Sequence, residues 1–211
     1  MSLVGPPQEL HYNVETWAAG RPLYRVHGRR LGAVEFNPCL GRGGRFHPFA
    51  DAAGACVPTL YGASSVEGVI AETVFHDLPF AAGQVVYEVE LEERVLSKVI
   101  PARDLRLVLL AGAGLRKLGV ARRDLIESPA ALFPLTRRWA AALHRAAPET
   151  DGLVWVSRAD DRARAAVLFG DRVGGADLAP EGGALPLIIG PGRALVEEAA
   201  TRAGILIVRR A

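Results

Sequence analysis

The chain has 211 residues, 50% of them apolar and 23% charged, and its 25 Lys and Arg against 23 Asp and Glu leave a formal net charge of +2. A chain of this size buries roughly 70% of the surface its unfolded form exposes, so one globular domain can form without a metal or disulfide staple. The even charge balance argues against nucleic-acid binding by bulk electrostatics, and the longest apolar stretch, 107–115, is too short to cross a bilayer.

Residues 1–20 read as an irregular arm with a short helical stretch at 14–19. The opening MSLVGPPQELHYNVETW has no basic segment followed by an apolar one, so no secretory leader is expected and the protein is expected in the cytoplasm. Residues 23–26 alternate as a short strand. Residues 27–58 form a long segment rich in Gly, Pro and Asn, which favours a binding loop; it carries Arg42, Arg45 and His47. Glycines crowd its arginines, at Gly28-Arg29-Arg30 and at Gly41-Arg42-Gly43-Gly44-Arg45. Such pairing lets backbone amides and guanidinium approach one anion together. Cys39 and Cys56 lie in or beside this segment without any metal-ligand spacing, and two free thiols are expected, with a disulfide as the alternative.

Residues 59–62 read as a strand. Ser64 as N-cap with Glu67 three residues on forms a capping box for a helix reaching about His76. Residues 84–95 alternate, with Val85, Tyr87, Val89 and Leu91 on one side, as a half-buried antiparallel strand does. A buried strand follows at 105–110, a short helix within 115–127, and a longer helix at 130–146 whose apolar residues recur every three or four positions. Strands are expected at 152–157 and 165–169, a polar connector at 174–183, then strand 185–189, helix 193–203 and strand 205–208. The mixture points to an α+β fold.

Arg25, in mid-strand, faces a pocket or an ion-pair partner. Arg25 and Arg45 fit either structural arginines or bidentate binders of phosphate or carboxylate. Glu72 follows Tyr61 by eleven residues, on a helix face where a glutamate is usually solvated. Ser157 ends a strand, as a cap or turn residue would. No Gly-x-Ser-x-Gly elbow, dinucleotide fingerprint or P-loop occurs. His11, His27, His47, His76 and His144 show no ligand spacing, so no metal is expected.

Taken in order, Leu23-Tyr24-Arg25-Val26-His27, Phe36-Asn37-Pro38, Gly44-Arg45-Phe46-His47-Pro48, Thr59-Leu60-Tyr61-Gly62, Ala71-Glu72-Thr73-Val74, Trp155-Val156-Ser157-Arg158 and Leu168-Phe169-Gly170-Asp171-Arg172-Val173 resemble the RES-domain family, named for an arginine, a glutamate and a serine. Phe46-His47 stands where that family usually has Trp-Asn, and the loop before Tyr61 is longer than usual. The resemblance implies an α+β fold with a mixed or antiparallel sheet and flanking helices, similar to ADP-ribosyltransferases. Residues 1–175 would form the catalytic domain and 176–211 a β-α-β extension packed on it. The implied function is an NAD+-degrading toxin of a type II toxin–antitoxin system, cleaving the nicotinamide–ribose bond by phosphorolysis or hydrolysis. NAD+ is then a substrate, inorganic phosphate a candidate second substrate, and no cofactor is needed. An Xre-like antitoxin is the implied partner. By matching positions, Glu72, Arg45 and Tyr61 are catalytic, and Arg25, Tyr24, Ser157 and His47 bind substrate. Transfer of ADP-ribose to a protein, and a non-catalytic nucleotide-binding module, are the alternatives. The apolar surface of the tail and of the Trp139 helix leaves a homo-oligomer open.

Overall fold

The computed structural model describes residues 5–41, 43–79, 81 and 83–209; Arg42 lies outside them. An eight-stranded mixed sheet organises the chain, in the order β1-β6-β7-β8-β3-β2-β5-β9. Its strands are β1 (Val14–Trp17), β2 (Leu23–Gly28), β3 (Thr59–Ala63), β5 (Arg94–Pro101), β6 (Leu105–Leu109), β7 (Gly152–Val156), β8 (Arg164–Phe169) and β9 (Leu178–Pro186). All neighbours are antiparallel except β6 and β7. A small parallel pair, β4 (Val85–Tyr87) with β10 (Leu206–Val208), stands apart from it. The helices are α1 (Val66–Thr73), α2 (Ala113–Leu118), α3 (Arg122–Leu125), α4 (Phe133–Ala146) and α5 (Gly190–Ala203). Among the described residues no helix is long and apolar enough to cross a membrane.

The central strands bury both faces, which is why β7 and β8 read as near-continuous apolar runs. Alternate side chains serve different cores. Trp155, Val167 and Phe169 pack with Phe46 and with Trp139 and Leu143 of α4. Val154, Ala166 and Leu168 pack on the opposite side with Leu60 and Leu107. A third core joins Ile70 of α1, Leu96 of β5 and Val196 of α5.

Four expectations change. Residues 14–17 are a strand rather than helix: Val14 pairs with Val108 and Trp17 with Leu105, and the buried Trp17 donates its indole N–H to the Arg21 carbonyl at 3.1 Å. The alternating run 84–95 is broken after Tyr87 by a turn at Glu88–Glu90. There the Tyr87 N–H donates to Glu90 Oε1 at 3.3 Å, a local side-chain bond that competes with the ladder. The Gly- and Pro-rich segment after 177 is edge strand β9, paired with β5, where proline is tolerated because one rim of the strand needs no ladder bond. The α1 cap is Ser65, whose Oγ accepts from Gly68 N–H at 3.0 Å, while Ser64 Oγ accepts from Arg164 N–H at 2.9 Å.

The cysteines change too. The expected free thiols are instead joined as Cys39–Cys56, with Cα atoms 6.4 Å apart. The long segment pairs with β3 through the isolated bridge of Asn37 with Thr59 and with itself through that of Ala50 with Cys56, and this brings the two cysteines within bonding reach.

Candidate active site

β2 and β3 share one register pair, Tyr24 opposite Ala63. Beyond it the strands part, and a cavity of about 460 Å³ opens between Val26, His27 and Gly28 on one side and Tyr61 and Gly62 on the other. The loop before β3 supplies Arg45 and His47, α1 supplies Glu72, and the β7 end supplies Trp155 and Arg158.

Glu72 is anchored at one oxygen. Its Oε1 accepts from Ser157 Oγ–H at 2.6 Å and from the Arg158 backbone N–H at 3.0 Å. No other hydrogen bond among the described residues falls on Oε2. Ser157 is fully buried behind the carboxylate. Its oxygen also accepts from the Ala159 and Asp160 amides, both at 3.1 Å. Those bonds fix the hydroxyl proton on the Glu72 side, since both lone pairs are engaged by amides.

Arg45 lies over the Phe133 ring, 5.1 Å from its centroid. Its Nη1 donates to Ser128 Oγ at 2.6 Å and to the Ser128 carbonyl at 2.9 Å. Burial, and next the charge of Arg158, lower its pKa to about 10, against the opposing pull of Glu72. It therefore stays cationic at neutral pH. The Tyr61 hydroxyl accepts from the Phe46 N–H at 3.0 Å. Desolvation pushes its pKa upward despite that bond, so it is a protonated phenol with its own hydrogen left to donate. Trp155 meets both Phe46 and Tyr61 edge-on.

Of the residues expected at the site, Glu72, Arg45, Tyr61 and His47 line the cavity. Ser157 stands behind Glu72. Tyr24 packs instead toward α1 and α5. Arg25 is turned away: its Nη1 donates to the Ala33 and Glu35 carbonyls, both at 2.8 Å, so it ties the following turn to β2. Burial lowers its pKa to about 10. Strand alternation puts Arg25 and His27 on the same face, but only the latter reaches the opening. His47 Nδ1 bonds Thr59 Oγ1 at 2.8 Å, and its Nε2 is buried without a hydrogen-bond partner among the described residues. The Gly44 N–H, expected to face an anion, donates to the His47 carbonyl at 2.7 Å.

Sequence reasoning gave no role to Arg158, Arg94 or Phe133, which also line the cavity. Arg94 Nη1 donates to the Thr73 carbonyl at 2.7 Å, and the Arg158 guanidinium donates to the His76 carbonyl. Arg158 stands next to Ser157 in one of the motifs, and that adjacency was the available signal. Together the cavity sets cationic side chains and aromatic faces around one carboxylate, an arrangement suited to an anionic ligand that carries or develops positive charge at one point.

No curated protein matches the sequence. Among solved structures, the M. tuberculosis MbcT–MbcA toxin–antitoxin complex contains a chain that aligns with a TM-score of 0.62 at 17% identity, covering 88% of this chain and 92% of that one. At such identity the likeness shows the fold alone, and the α+β arrangement of a mixed sheet with flanking helices is the one expected from the sequence. The family model described as RES domain matches residues 22–189, a span that runs from the start of β2 past the end of β9. With most of its length so matched, the chain belongs to the RES domain family.

Proposed function

We propose that the chain degrades NAD+ by cleaving the nicotinamide–ribose bond, and that it is the toxin of a toxin–antitoxin pair held inactive by an Xre-like antitoxin. The family membership and the complex in which the structural neighbour occurs support this reading. The observation that carries it is the Glu72 carboxylate, held at Oε1 by Ser157 and the Arg158 amide in a cavity shared with Arg45, Tyr61 and Arg158.

In the proposed reaction the C1′–N bond breaks and its electron pair stays on nicotinamide, which leaves neutral and needs no general acid. Positive charge grows on the ribose as in glycoside cleavage, and Glu72 stabilises it through charge and ribose hydroxyl contacts. An oxygen of phosphate or water bonds to C1′ from the opposite face; with water, the extra proton goes to solvent. Arg45 and Arg158 bind the pyrophosphate or the incoming phosphate, and the Tyr61 O–H donates to a ribose hydroxyl. The substrate is an intracellular metabolite, so the proposed place of action is the cytoplasm.

The test is incubation of the purified chain with NAD+, with and without inorganic phosphate, followed by product masses. Nicotinamide release is expected, with ADP-ribose 1″-phosphate marking phosphorolysis and ADP-ribose marking hydrolysis. Glu72→Gln keeps the shape of the side chain and is expected to cut the rate by about 10²–10³-fold. Label from NAD+ retained on protein would turn the reading to ADP-ribosyl transfer, and no nicotinamide from the wild-type chain overturns it.

A further inference from the structure

A second cavity, of about 600 Å³, lies beside the first and is not used by the proposed reaction. Residues 75–79, Ala81 and Gln84, the 158–162 loop and the join of α5 to β10 form its walls. Phe75, Leu78, Pro79 and Ile205 make these walls apolar, and Gln84 and Asp160 add polar groups. Arg158 and His76 line both cavities. Because the Arg158 guanidinium donates to the His76 carbonyl, these two residues form the partition between them.

The charges around the second cavity are mostly paired. Arg202 meets Glu67 at 3.3 Å and Arg162 meets Asp160 at 3.2 Å. Arg158 has no ion pair with a carboxylate among the described residues. One uncompensated cation therefore stands on the boundary between two cavities of comparable size. Each is large enough for part of a cofactor-sized ligand, and each combines apolar walls with a few polar groups, as small-molecule sites do.

We infer that the second cavity takes the adenosine half of the dinucleotide whose nicotinamide half lies at Glu72, with Arg158 bound to the pyrophosphate that joins them. This rests on the NAD+ reading. The flat apolar walls receive the base, Gln84 bonds its edge, and Asp160 accepts from ribose hydroxyls. The end of α5 and the start of β10 thereby become substrate-binding elements.

The test uses AMP and nicotinamide mononucleotide as separate probes of the two halves. Ala203, an exposed residue on the cavity lining at the end of α5, is replaced in Ala203→Trp to fill the space and in Ala203→Glu to repel phosphate. At this surface position at least one variant is expected to keep the wild-type melting temperature, and that one carries the measurement. Calorimetry is expected to show AMP weakened at least tenfold and nicotinamide mononucleotide within twofold of wild type. The KM for NAD+ is expected to rise at least tenfold while kcat stays within threefold. AMP affinity that survives the substitution, or equal weakening of both probes in a folded variant, overturns the inference and leaves nicotinamide release intact. Absence of nicotinamide release from the wild-type chain overturns the NAD+ reading and this inference with it.

Discussion

Ser157→Ala removes one oxygen from a fully buried position and isolates what the anchoring of Glu72 contributes. The wild-type hydroxyl donates to Oε1 at 2.6 Å and accepts from the amides of Ala159 and Asp160 at 3.1 Å. A hydrogen bond to a charged group is worth about 1.5–3 kcal/mol. If that bond positions the carboxylate for the transition state, its loss lowers kcat/KM by about 10- to 150-fold, at 1.36 kcal/mol per decade. The Arg158 amide remains to hold the same oxygen at 3.0 Å, which is why activity should fall rather than vanish. Two orphaned amides also destabilise the 157–160 turn, so the melting temperature drops as well. The assay follows nicotinamide release against folded protein, with Ser157→Thr as the conservative variant that retains a hydroxyl. The expected pattern is a large loss in Ser157→Ala and partial recovery in Ser157→Thr. A Ser157→Ala chain that melts lower but turns over NAD+ at full rate per folded molecule refutes the positioning role and leaves Ser157 a turn residue only.

Two further predictions concern stability. Burial lowers the pKa values of His27 and His47 below the ordinary histidine value, so the unfolded chain takes up protons near pH 6.5 that the folded chain refuses until lower pH. Stability is thus complete above about pH 6.5 and falls as pH drops below it, by at most about 2.7 kcal/mol per pH unit for the two rings together; urea unfolding at pH 7.5 and 5.5 checks the sign, and equal midpoints contradict it. Arg103 grips Asp151 with both terminal nitrogens, at 2.7 and 3.0 Å, and Asp177 through Nε at 2.9 Å, joining the β5–β6 turn to the start of β7 and the approach to β9. Arg103→Ala is expected to cost about 2 kcal/mol, below the full value of a broken buried pair because the arginine is 40% exposed and its charge is partly screened. Nicotinamide release by the folded fraction should be unchanged, and a midpoint within experimental error of wild type rejects the account.

What could be read from residues alone followed burial. β3, β7, β8 and α4 carry their own apolar pattern on every face they bury, so local sequence determines them. β1 and β9 lie at the two edges of the sheet and take their identity from a partner, β6 or β5. The glycines and prolines of β9 resemble a connector for that reason. The run through Tyr87 and Val89 alternates correctly, yet these side chains are 43% and 50% exposed, and alternation without a face to bury does not hold a strand. At the site, Glu72, Arg45 and Tyr61 came from ordered family motifs rather than from periodicity. The direction of Arg25 was hidden because a mid-strand arginine reads alike whether it meets a ligand or the backbone carbonyls of the next turn. The tie between Glu72 and the Arg158 amide was hidden for a different reason: a main-chain donor leaves no mark on residue identity.

The anchoring of Glu72 also sets a clock. Its hydroxyl partner lies 85 residues further along the chain, and β3, which bears Tyr61, is hydrogen-bonded to β8, with Thr59 opposite Phe169. At 5–20 residues per second, a ribosome needs about 4 to 17 s to travel from the carboxylate to its serine. Until then the nascent chain holds the charged groups but not the geometry. Ser157 must therefore be made before the proposed cleavage can begin, and under the proposed toxin role an antitoxin synthesised alongside has those seconds to be present first.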